Sequence, residues 1–433
     1  MQSDSEINSE KRGGLIALAL ISIIVGAVSG LVVAVFRLAL VQADRIRGEL
    51  IAWAHGENLI GFLLVIGVIS GATALSAWLV RRFSREAIGS GIPNIEVVMQ
   101  NGRRPGPPVR LILVKFIGGL LAIGSGLALG REGPSVQMGA SAAQILGTVF
   151  RREWADSKSL IAAGAGAGLA TAFNAPIAGA VFVLEELVRR FDTRIAIAAL
   201  GTSMAAIVVA RVLIGDAPDF HVAPQPYPGL GTAPIHIALG IVTGLVGIGY
   251  CRALLGALAF TDRLKRLPIE ARAALIGAVV GLLAWSAPEI VGGGDFITQS
   301  ILNGTNALLL VAVVFVIRFA LGAVSYAAGT PGGLFAPMLV LGAQIGLLFG
   351  TVCGYWFPNL GLGPTAFAIV GMAGFFTAVV RAPLTGIVLV TELTGSFTLL
   401  LPMLASCFAA MAVPTLLRTP PIYDSLRERI IRD

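Results

Sequence analysis

Charge is scarce in this sequence. Of its 433 residues, 31 are Lys or Arg and 24 are Asp or Glu, so 13% are charged, against about 25% in soluble domains. Apolar residues make up 56% and the mean hydropathy is +0.86. These values exclude a cytosolic globular enzyme, a disordered chain and a nucleic-acid-binding protein. The net charge of +7 fits the positively charged cytoplasmic loops of a membrane protein.

The residues that usually bind metals or nucleotides are also few. The chain has three cysteines and three histidines, without a C-x-x-C or H-E-x-x-H pattern, so we expect no disulfide framework, metal site or cofactor. The P-loop pattern G-x-x-x-x-G-K-[ST] is missing as well, which excludes a nucleotide-driven pump. Any transport would therefore run on ion gradients.

Long apolar runs dominate what is present. Gly13–Phe36 is 24 residues without a charge, longer than the 7–15 residues of a signal-peptide core. We interpret it as a first membrane helix that follows a cytoplasmic tail, residues 1–12. Phe319–Val380 contains 62 residues without Asp, Glu, Lys or Arg. A crossing needs about 20 residues, so this run must hold several helices. The sequence predicts an all-α polytopic membrane protein, in a bacterial inner or plasma membrane.

Basic clusters mark the cytoplasmic loops. They are Arg81/Arg82/Arg85, Arg103/Arg104/Arg110, Arg151/Arg152, Arg189/Arg190/Arg194, Arg263/Lys265/Arg266 and Arg427/Arg429/Arg432. The last cluster places the C-terminus on the same side as the N-terminal tail. The Pro-rich stretch 215–234 carries Asp216 and Asp219 but no Lys or Arg. We expect it to form an external loop between two halves.

An internal repeat supports two halves, residues 13–214 and 235–433. Lys115–Val149 aligns without a gap on Arg318–Val352, at an offset of 203 residues. At an offset of 207, Ala175-Pro176 meets Ala382-Pro383 and Glu185 meets Glu392. Transporters built from inverted repeats bind their substrate where the repeats meet, on broken helices near the midplane.

Three breaks rich in Gly interrupt the apolar sequence, and each ends in proline. They are Gly89–Pro93, Gly130–Pro134 and Gly332–Pro337. Proline is favoured in the first turn of a helix, and a helix N-terminus presents free N–H groups and a partial positive charge. Irregular backbone survives at membrane depth only where it lines a cavity. Together the three breaks predict an anion site formed by bare backbone.

These breaks resemble the signature sequences of the CLC chloride channel and transporter family. GSGIP, GREGP and the G-x-F-x-P block occur in family order at residues 89–93, 130–134 and 333–337. The similarity extends to Asn174-Ala175-Pro176, Glu185-Glu186 and Pro421-Ile422-Tyr423. The resemblance implies the CLC fold, with inverted halves and tilted, broken helices, and it implies a homodimer with one pathway per subunit.

The resemblance also implies site residues. The hydroxyls of Ser90 and Tyr423 and the N–H groups of Leu334 and Phe335 would contact a central chloride. The other residues expected to frame the chloride positions are Gly91, Ile92, Arg131 and Gly133. Glu132 resembles the external gating glutamate, a carboxylate that occupies the anion position until a proton neutralises it.

Some roles stay open at this stage. Glu186 resembles the internal proton-transfer glutamate of the family's exchangers, but an ion pair with Arg190, four residues on, is the structural alternative. Lys115 and Arg318 match across the repeat. They could raise the positive potential near the breaks, or they could pair with a glutamate such as Glu392.

The sequence therefore favours a secondary transporter that exchanges chloride for protons. A passive voltage- or pH-gated chloride channel of the same fold is the alternative. In the family, proline at the Ser90 position accompanies nitrate preference, and fluoride exporters lack the tyrosine, so Ser90 and Tyr423 favour chloride. An intramembrane protease is disfavoured, because a G-x-S-G serine and paired membrane aspartates are missing.

Overall fold

A computed structural model describes residues 4–102, 104–264, 266–304, 307–358 and 363–432, with backbone alone for 4–13 and 101. Within these residues the chain forms seventeen α-helices and no strand. The helices are α1 Asp4–Ala54, α2 Asn58–Phe83, α3 Ile92–Asn101, α4 Pro108–Gly124, α5 Glu132–Val149, α6 Trp154–Phe173, α7 Pro176–Phe182, α8 Thr193–Ile214, α9 Ala233–Arg263, α10 Ile269–Ser286, α11 Asp295–Leu302, α12 Leu308–Tyr326, α13 Phe335–Trp356, α14 Pro364–Val380, α15 Pro383–Thr394, α16 Leu400–Leu416 and α17 Ile422–Arg432.

Several sequence predictions can be placed on these helices. Helix α1 begins at Asp4, so the described part of the predicted tail continues directly into the first apolar helix. Arg103 and Lys265 of the basic clusters lie outside the described residues. Within those residues, seven segments are long and apolar enough to cross a membrane.

The helices repeat as two inverted sets of eight, α1–α8 and α9–α16. Equivalent helices have equivalent neighbours: α5 packs on α6 as α13 packs on α14, and α1 packs on α8 as α9 packs on α16. The two sets meet at α2 and α10 and at α7 and α15. Helix α17 stands outside the repeat and packs against α3. The inverted-repeat fold predicted from the sequence is confirmed.

Glycines let the central helices approach closely in both halves. A Cβ atom at Gly139 of α5 would lie 2.2 Å from the carbonyl oxygen of Gly164 in α6. At the repeat-equivalent contact, a Cβ at Gly342 of α13 would lie 2.5 Å from the carbonyl oxygen of Gly371 in α14. These pairs form the buried centre of each half. Lipid provides no hydrophobic driving force between helices, so small residues that allow close packing hold them together.

The outer helices carry apolar side chains on their exposed faces. On α8, Leu200, Met204, Val208 and Val212 are 56–82% exposed, and Phe408 and Leu416 of α16 are 73% and 80% exposed. A face of this kind suits contact with lipid or with another protein, and it agrees with the apolar composition of these segments.

Candidate anion and proton site

The three predicted breaks meet at the centre of the molecule. They lead into α3 at Ile92, α5 at Glu132 and α13 at Phe335. A Cβ atom at Gly133 would lie 2.7 Å from the carbonyl oxygen of Ser90 and 2.9 Å from Cα of Gly333. Only glycine fits where the three segments come this close.

Two repeat-equivalent glycines join the halves at this point. The N–H of Gly130 donates to the carbonyl of Gly333 at 2.9 Å, and the N–H of Gly333 donates to that of Gly130 at 2.7 Å. The two residues are 203 positions apart, the offset of the repeat. The breaks before α5 and α13 therefore face each other across the pseudo-two-fold axis.

Glu132 lies at this junction. Its side chain is fully buried, and Oε1 accepts a hydrogen bond of 2.6 Å from the N–H of Phe335. Its other oxygen has no partner among the described residues. The carboxylate of the first half thus occupies the N-terminus of α13 in the second half, where an anion is favoured.

The hydroxyls of Ser90 and Tyr423 are buried donors without a protein acceptor. Both residues are 0% exposed, and neither hydroxyl oxygen has a hydrogen-bond partner among the described residues. The Tyr423 ring packs on Phe335, with ring centroids 6.1 Å apart. Buried polar atoms almost always have partners, so these hydroxyls and the helix N-termini fit a dehydrated anion.

The loop that carries Ser90 is hydrogen-bonded to two side chains, Lys115 and Tyr326. Nζ of Lys115 donates to the carbonyl of Gly89 at 2.7 Å, and the N–H of Ser90 donates to the Tyr326 hydroxyl at 3.3 Å. Gly91 has φ +81°, and a Cβ there would lie 2.2 Å from Oε1 of Gln137. The ammonium group of Lys115 therefore positions the loop by binding a carbonyl of the loop's backbone.

A fourth break mirrors this loop in the second half and was missed in the sequence. Gly292-Gly293-Gly294 precedes α11 as Gly89-Ser90-Gly91 precedes α3, again at an offset of 203. Arg318, the counterpart of Lys115, donates to the carbonyls of Ile290, Gly292 and Gly293 at 2.6–3.0 Å. The available signal in the sequence was the pair of glycines repeated at this offset, Gly89 with Gly292 and Gly91 with Gly294, all four of which have positive φ in the structure.

Of the two alternatives for Lys115 and Arg318, pairing with Glu392 does not occur. Glu392 instead accepts hydrogen bonds from the N–H groups of Ile177 and Ala178 at 3.0 and 2.8 Å. These donors belong to the first turn of α7. The carboxylate therefore satisfies donors that a helix leaves free, and the two cations bind carbonyls.

Arg131 points away from Glu132, its neighbour in the chain. Its guanidinium contacts Asp219 at 2.6 Å, Asp295 at 3.3 Å and the carbonyl of Ala172 at 2.9 Å. Asp219 also pairs with Arg37. The predicted loop 215–234 thus folds back onto the site, and any contact of Arg131 with an anion would come from its backbone.

Glu186 lies on a π-helical turn, Val183–Leu187, that continues α7. Such turns often occur at functional sites. Its side chain is buried and pairs with Arg189 at 3.2 Å, so an ion pair does form, but with Arg189 rather than the expected Arg190. Sequence reasoning missed the other members of this cluster, Glu96, Asp424 and Arg427, because they lie far from Glu186 in the chain.

Aromatic rings fill the space between the two glutamates. Phe335, whose N–H binds Glu132, packs on Phe182 with ring centroids 5.8 Å apart, and on Phe376 at 4.7 Å. Phe182 precedes the π-helical turn that carries Glu186. Phe335 therefore contacts the anion centre through its backbone and the Glu186 helix through its ring.

His236 of α9, a buried histidine in an apolar helix, contacts a backbone carbonyl and an aromatic ring. Its Nδ1 is 2.9 Å from the carbonyl of Thr232, and its ring stacks on Phe367 with centroids 4.9 Å apart. Nε2 has no hydrogen-bond partner among the described residues. Within the same residues, no cluster of three or more His, Cys, Asp or Glu could hold a metal ion.

Inverted halves, broken helices and a buried centre lined by helix N-termini and free hydroxyls define the class of membrane protein to which the chain belongs. A family model described as "Voltage gated chloride channel" matches residues 71–415, and the chain belongs to this family. It is 37% identical over 422 residues to the H(+)/Cl(-) exchange transporter ClcA of Vibrio cholerae, covering 95% of this chain and 89% of that protein.

Solved structures agree with this assignment. The crystal structure of a slow cyanobacterial Cl-/H+ antiporter superposes with a TM-score of 0.92 at 33% identity, covering 96% of this chain and 98% of the other. A CLC-type fluoride/proton antiporter has a TM-score of 0.79 at 22% identity, covering 98% of each chain. The second likeness concerns the fold alone.

Proposed function

We propose that the protein exchanges chloride for protons across a membrane, with Glu132 as the gate. The observation that carries the proposal is the hydrogen bond between Oε1 of Glu132 and the N–H of Phe335. A carboxylate and a chloride ion compete for that donor. A proton removes the carboxylate's charge, so protonation frees the donor for chloride, and one side chain links the two ions.

The central chloride is held by neutral donors in this proposal. Ser90 and Tyr423 supply hydroxyls, and Leu334 and Phe335 supply backbone N–H groups. Gly91 and Ile92 lie at the start of α3, and Arg131 and Gly133 frame the position next outward. Donors without a full charge bind an anion loosely enough to release it, which a transport cycle needs.

Glu186 is the proposed inner proton carrier. It lines a cavity of about 660 Å³ together with Glu185, Arg189 and Arg381, which gives solvent a way to approach it. Ionisable side chains at membrane depth are expensive and are kept for function. Protons would pass from Glu186 to Glu132, across the aromatic cluster around Phe335.

Chloride is the proposed substrate because Ser90 and Tyr423 are both present. The similar fold of a fluoride/proton antiporter does not select between the anions, since the same scaffold can hold different sites. Competition of chloride, nitrate and fluoride in exchange measurements would rank them, and a preference for nitrate or fluoride would contradict this choice.

The experiment that tests exchange uses the purified protein in liposomes. A chloride gradient with a clamped membrane potential should drive protons uphill, read by a pH-sensitive dye. Chloride flux without coupled proton movement would overturn exchange and favour the channel of the same fold.

The proposed setting is a bacterial inner or plasma membrane, with both termini cytoplasmic and two copies per assembly. The exposed apolar faces of α8 and α16 support contacts with lipid and with a second copy. Accessibility of single cysteines to impermeant reagents would test the orientation, and cross-linking in membranes would test the dimer.

A further inference from the structure

Glu186 belongs to a cluster of five charged side chains. Within the described residues it contains the carboxylates of Glu96, Glu186 and Asp424 and the guanidiniums of Arg189 and Arg427. Glu96 comes from α3, and Asp424 and Arg427 come from α17. The cluster therefore joins three separate segments of the chain at one point.

Arg189 contacts all three carboxylates. Its Nη2 is 3.2 Å from Oε1 of Glu186 and 3.7 Å from Oε1 of Glu96, and its Nη1 is 2.8 Å from Oδ1 of Asp424. Arg427 contacts Glu96 at 3.1 Å and Asp424 at 2.8 Å but has no ion pair with Glu186. Arg189 is thus the direct link between Glu186 and α17.

The backbone turns to make this link. Arg189 has φ +54°, a left-handed conformation that is uncommon for residues other than glycine. It directs the side chain back over the π-helical turn, where Nε donates to the carbonyl of Glu186 at 3.2 Å. A strained residue persists where its surroundings over-determine it, and such residues gather at functional sites.

The balance of charge makes the cluster sensitive to a proton. With all three carboxylates ionised, three negative charges would face two guanidiniums, and Glu96 and Glu186 are both buried. Asp156 of α6 pairs with both Arg152 and Arg194, and neither of these arginines has an ion pair with Glu96, Glu186 or Asp424. A proton on Glu186 therefore neutralises the cluster and releases Arg189 toward Glu96 and Asp424.

Asp424 is the neighbour of Tyr423, whose hydroxyl faces the anion centre. We infer that Arg189 is a positioning residue that ties Glu186 to α17, so that protonation of Glu186 and the placement of Tyr423 depend on each other. This inference rests on the proposed role of Glu186 and adds to it a path between the inner proton step and the anion. Glu186 and Asp424 need not contact each other, because the Arg189 guanidinium contacts both.

The test compares Arg189→Gln with Arg190→Gln in liposomes. Arg190 is the adjacent exposed arginine and has no ion pair among the described residues, so its substitution removes the same charge without breaking the cluster. For Arg189→Gln we expect the ratio of proton to chloride flux to fall by about tenfold. Loss of a positive neighbour favours protonated Glu186, so the internal-pH midpoint of proton flux should rise by about one unit.

Two further variants separate positioning from a general loss of structure. Arg189→Lys retains the charge and should restore the pH midpoint but only part of the flux ratio, since an ammonium cannot span three carboxylates. Asp424→Asn should weaken chloride binding, measured by calorimetry, and Arg189→Gln should weaken it no further in the double variant. Additive losses would overturn the link to α17.

Glu186→Gln distinguishes this inference from the proposed function. If Glu186→Gln loses proton flux while Arg189→Gln behaves like Arg190→Gln, the inference about Arg189 is wrong and the role of Glu186 stands. If Glu186→Gln retains wild-type coupling, the proposed role of Glu186 is wrong, and the inference falls with it.

Discussion

Glu185 and Glu392 occupy equivalent positions in the two halves, and each caps a helix of the other half. Glu185 accepts hydrogen bonds from the N–H groups of Leu384 and Thr385 at the start of α15, at 3.0 and 2.6 Å. Glu392 does the same for α7. A carboxylate at a helix N-terminus satisfies free donors and the helix dipole at once. The two halves are therefore joined by a reciprocal pair of helix caps.

Removing either cap should loosen the contact between the halves. We expect Glu392→Ala to lower the free energy of unfolding by about 1–2 kcal/mol, and Glu185→Ala by somewhat more, since Thr385 Oγ1 also donates to Glu185 at 2.7 Å. Thermal unfolding in detergent measures both losses. The exposed Glu57 at the start of α2 offers Glu57→Ala as a control, and equal losses in all three variants would contradict the capping role.

The gate makes the sharpest prediction for transport. Glu132→Gln places a neutral group of the same size at the Phe335 N–H, so it can neither carry a proton nor compete as an anion. We expect proton flux to fall to background while chloride flux persists and loses its pH dependence. Simultaneous dye and chloride-electrode recordings measure the two fluxes.

Glu428→Gln is the matched control for the gate, because its side chain is 62% exposed and far along α17. It should leave both fluxes unchanged. Proton coupling that survives in Glu132→Gln would remove Glu132 from the mechanism.

The sequence revealed more of this site than of its surroundings. The breaks before α3, α5 and α13 could be predicted because glycine and proline act locally: where several fall within five or six residues, they end one helix and start the next. Glu132 could be predicted for the same reason, since it sits in the first turn of its own helix. Its exact partner, the N–H of Phe335, became clear only when the two halves were brought together.

The ion pairs between separate segments could not be predicted because they join residues distant in the chain. Glu96 and Arg427 are 331 positions apart, and neither lies in a motif that would indicate a partner. Arg189 and Arg190 are indistinguishable in the sequence, and helical spacing favoured the wrong one. The π-helical turn ends at Leu187, and the left-handed backbone at Arg189, with φ +54°, folds the chain back so that Arg189 rather than Arg190 reaches Glu186.

The hydroxyls of Tyr423 and Ser90 should each contribute to chloride affinity. Loss of one hydrogen bond to a charged ligand costs about 1.5–3 kcal/mol, so Tyr423→Phe should raise the dissociation constant for chloride by about tenfold or more. Isothermal titration calorimetry measures it directly. Tyr355→Phe is a suitable control, since Tyr355 is 89% exposed. Unchanged affinity in Tyr423→Phe would exclude its hydroxyl from the site.

Asp219 should tune the gate from the outer side. Its carboxylate partly neutralises Arg131, the neighbour of Glu132, so Asp219→Asn makes the surroundings of the gate more positive. A positive neighbour disfavours protonation of a carboxylate. We therefore expect the external-pH midpoint of transport to move downward by up to about one unit, measured as chloride flux against external pH. Asp216→Asn in the same loop, where the side chain is exposed, should leave the midpoint in place.

The space around each helical glycine predicts whether Gly→Ala raises or lowers the stability of the fold. In helices Gly→Ala is favourable by up to about 1 kcal/mol where space allows, and at Gly67 of α2 nothing lies within 4 Å of the added atom. At Gly139 and Gly342 the added methyl would meet backbone oxygens at 2.2 and 2.5 Å, and backbone cannot turn aside as a side chain can.

We expect Gly67→Ala to maintain or raise the apparent melting temperature in detergent. Gly139→Ala and Gly342→Ala should each lower the free energy of unfolding by about 1–3 kcal/mol. Because the two positions are repeat-equivalent, similar losses at both would indicate that the halves still share the packing they inherited, whereas a neutral Gly139→Ala would mean that α5 and α6 can separate without cost.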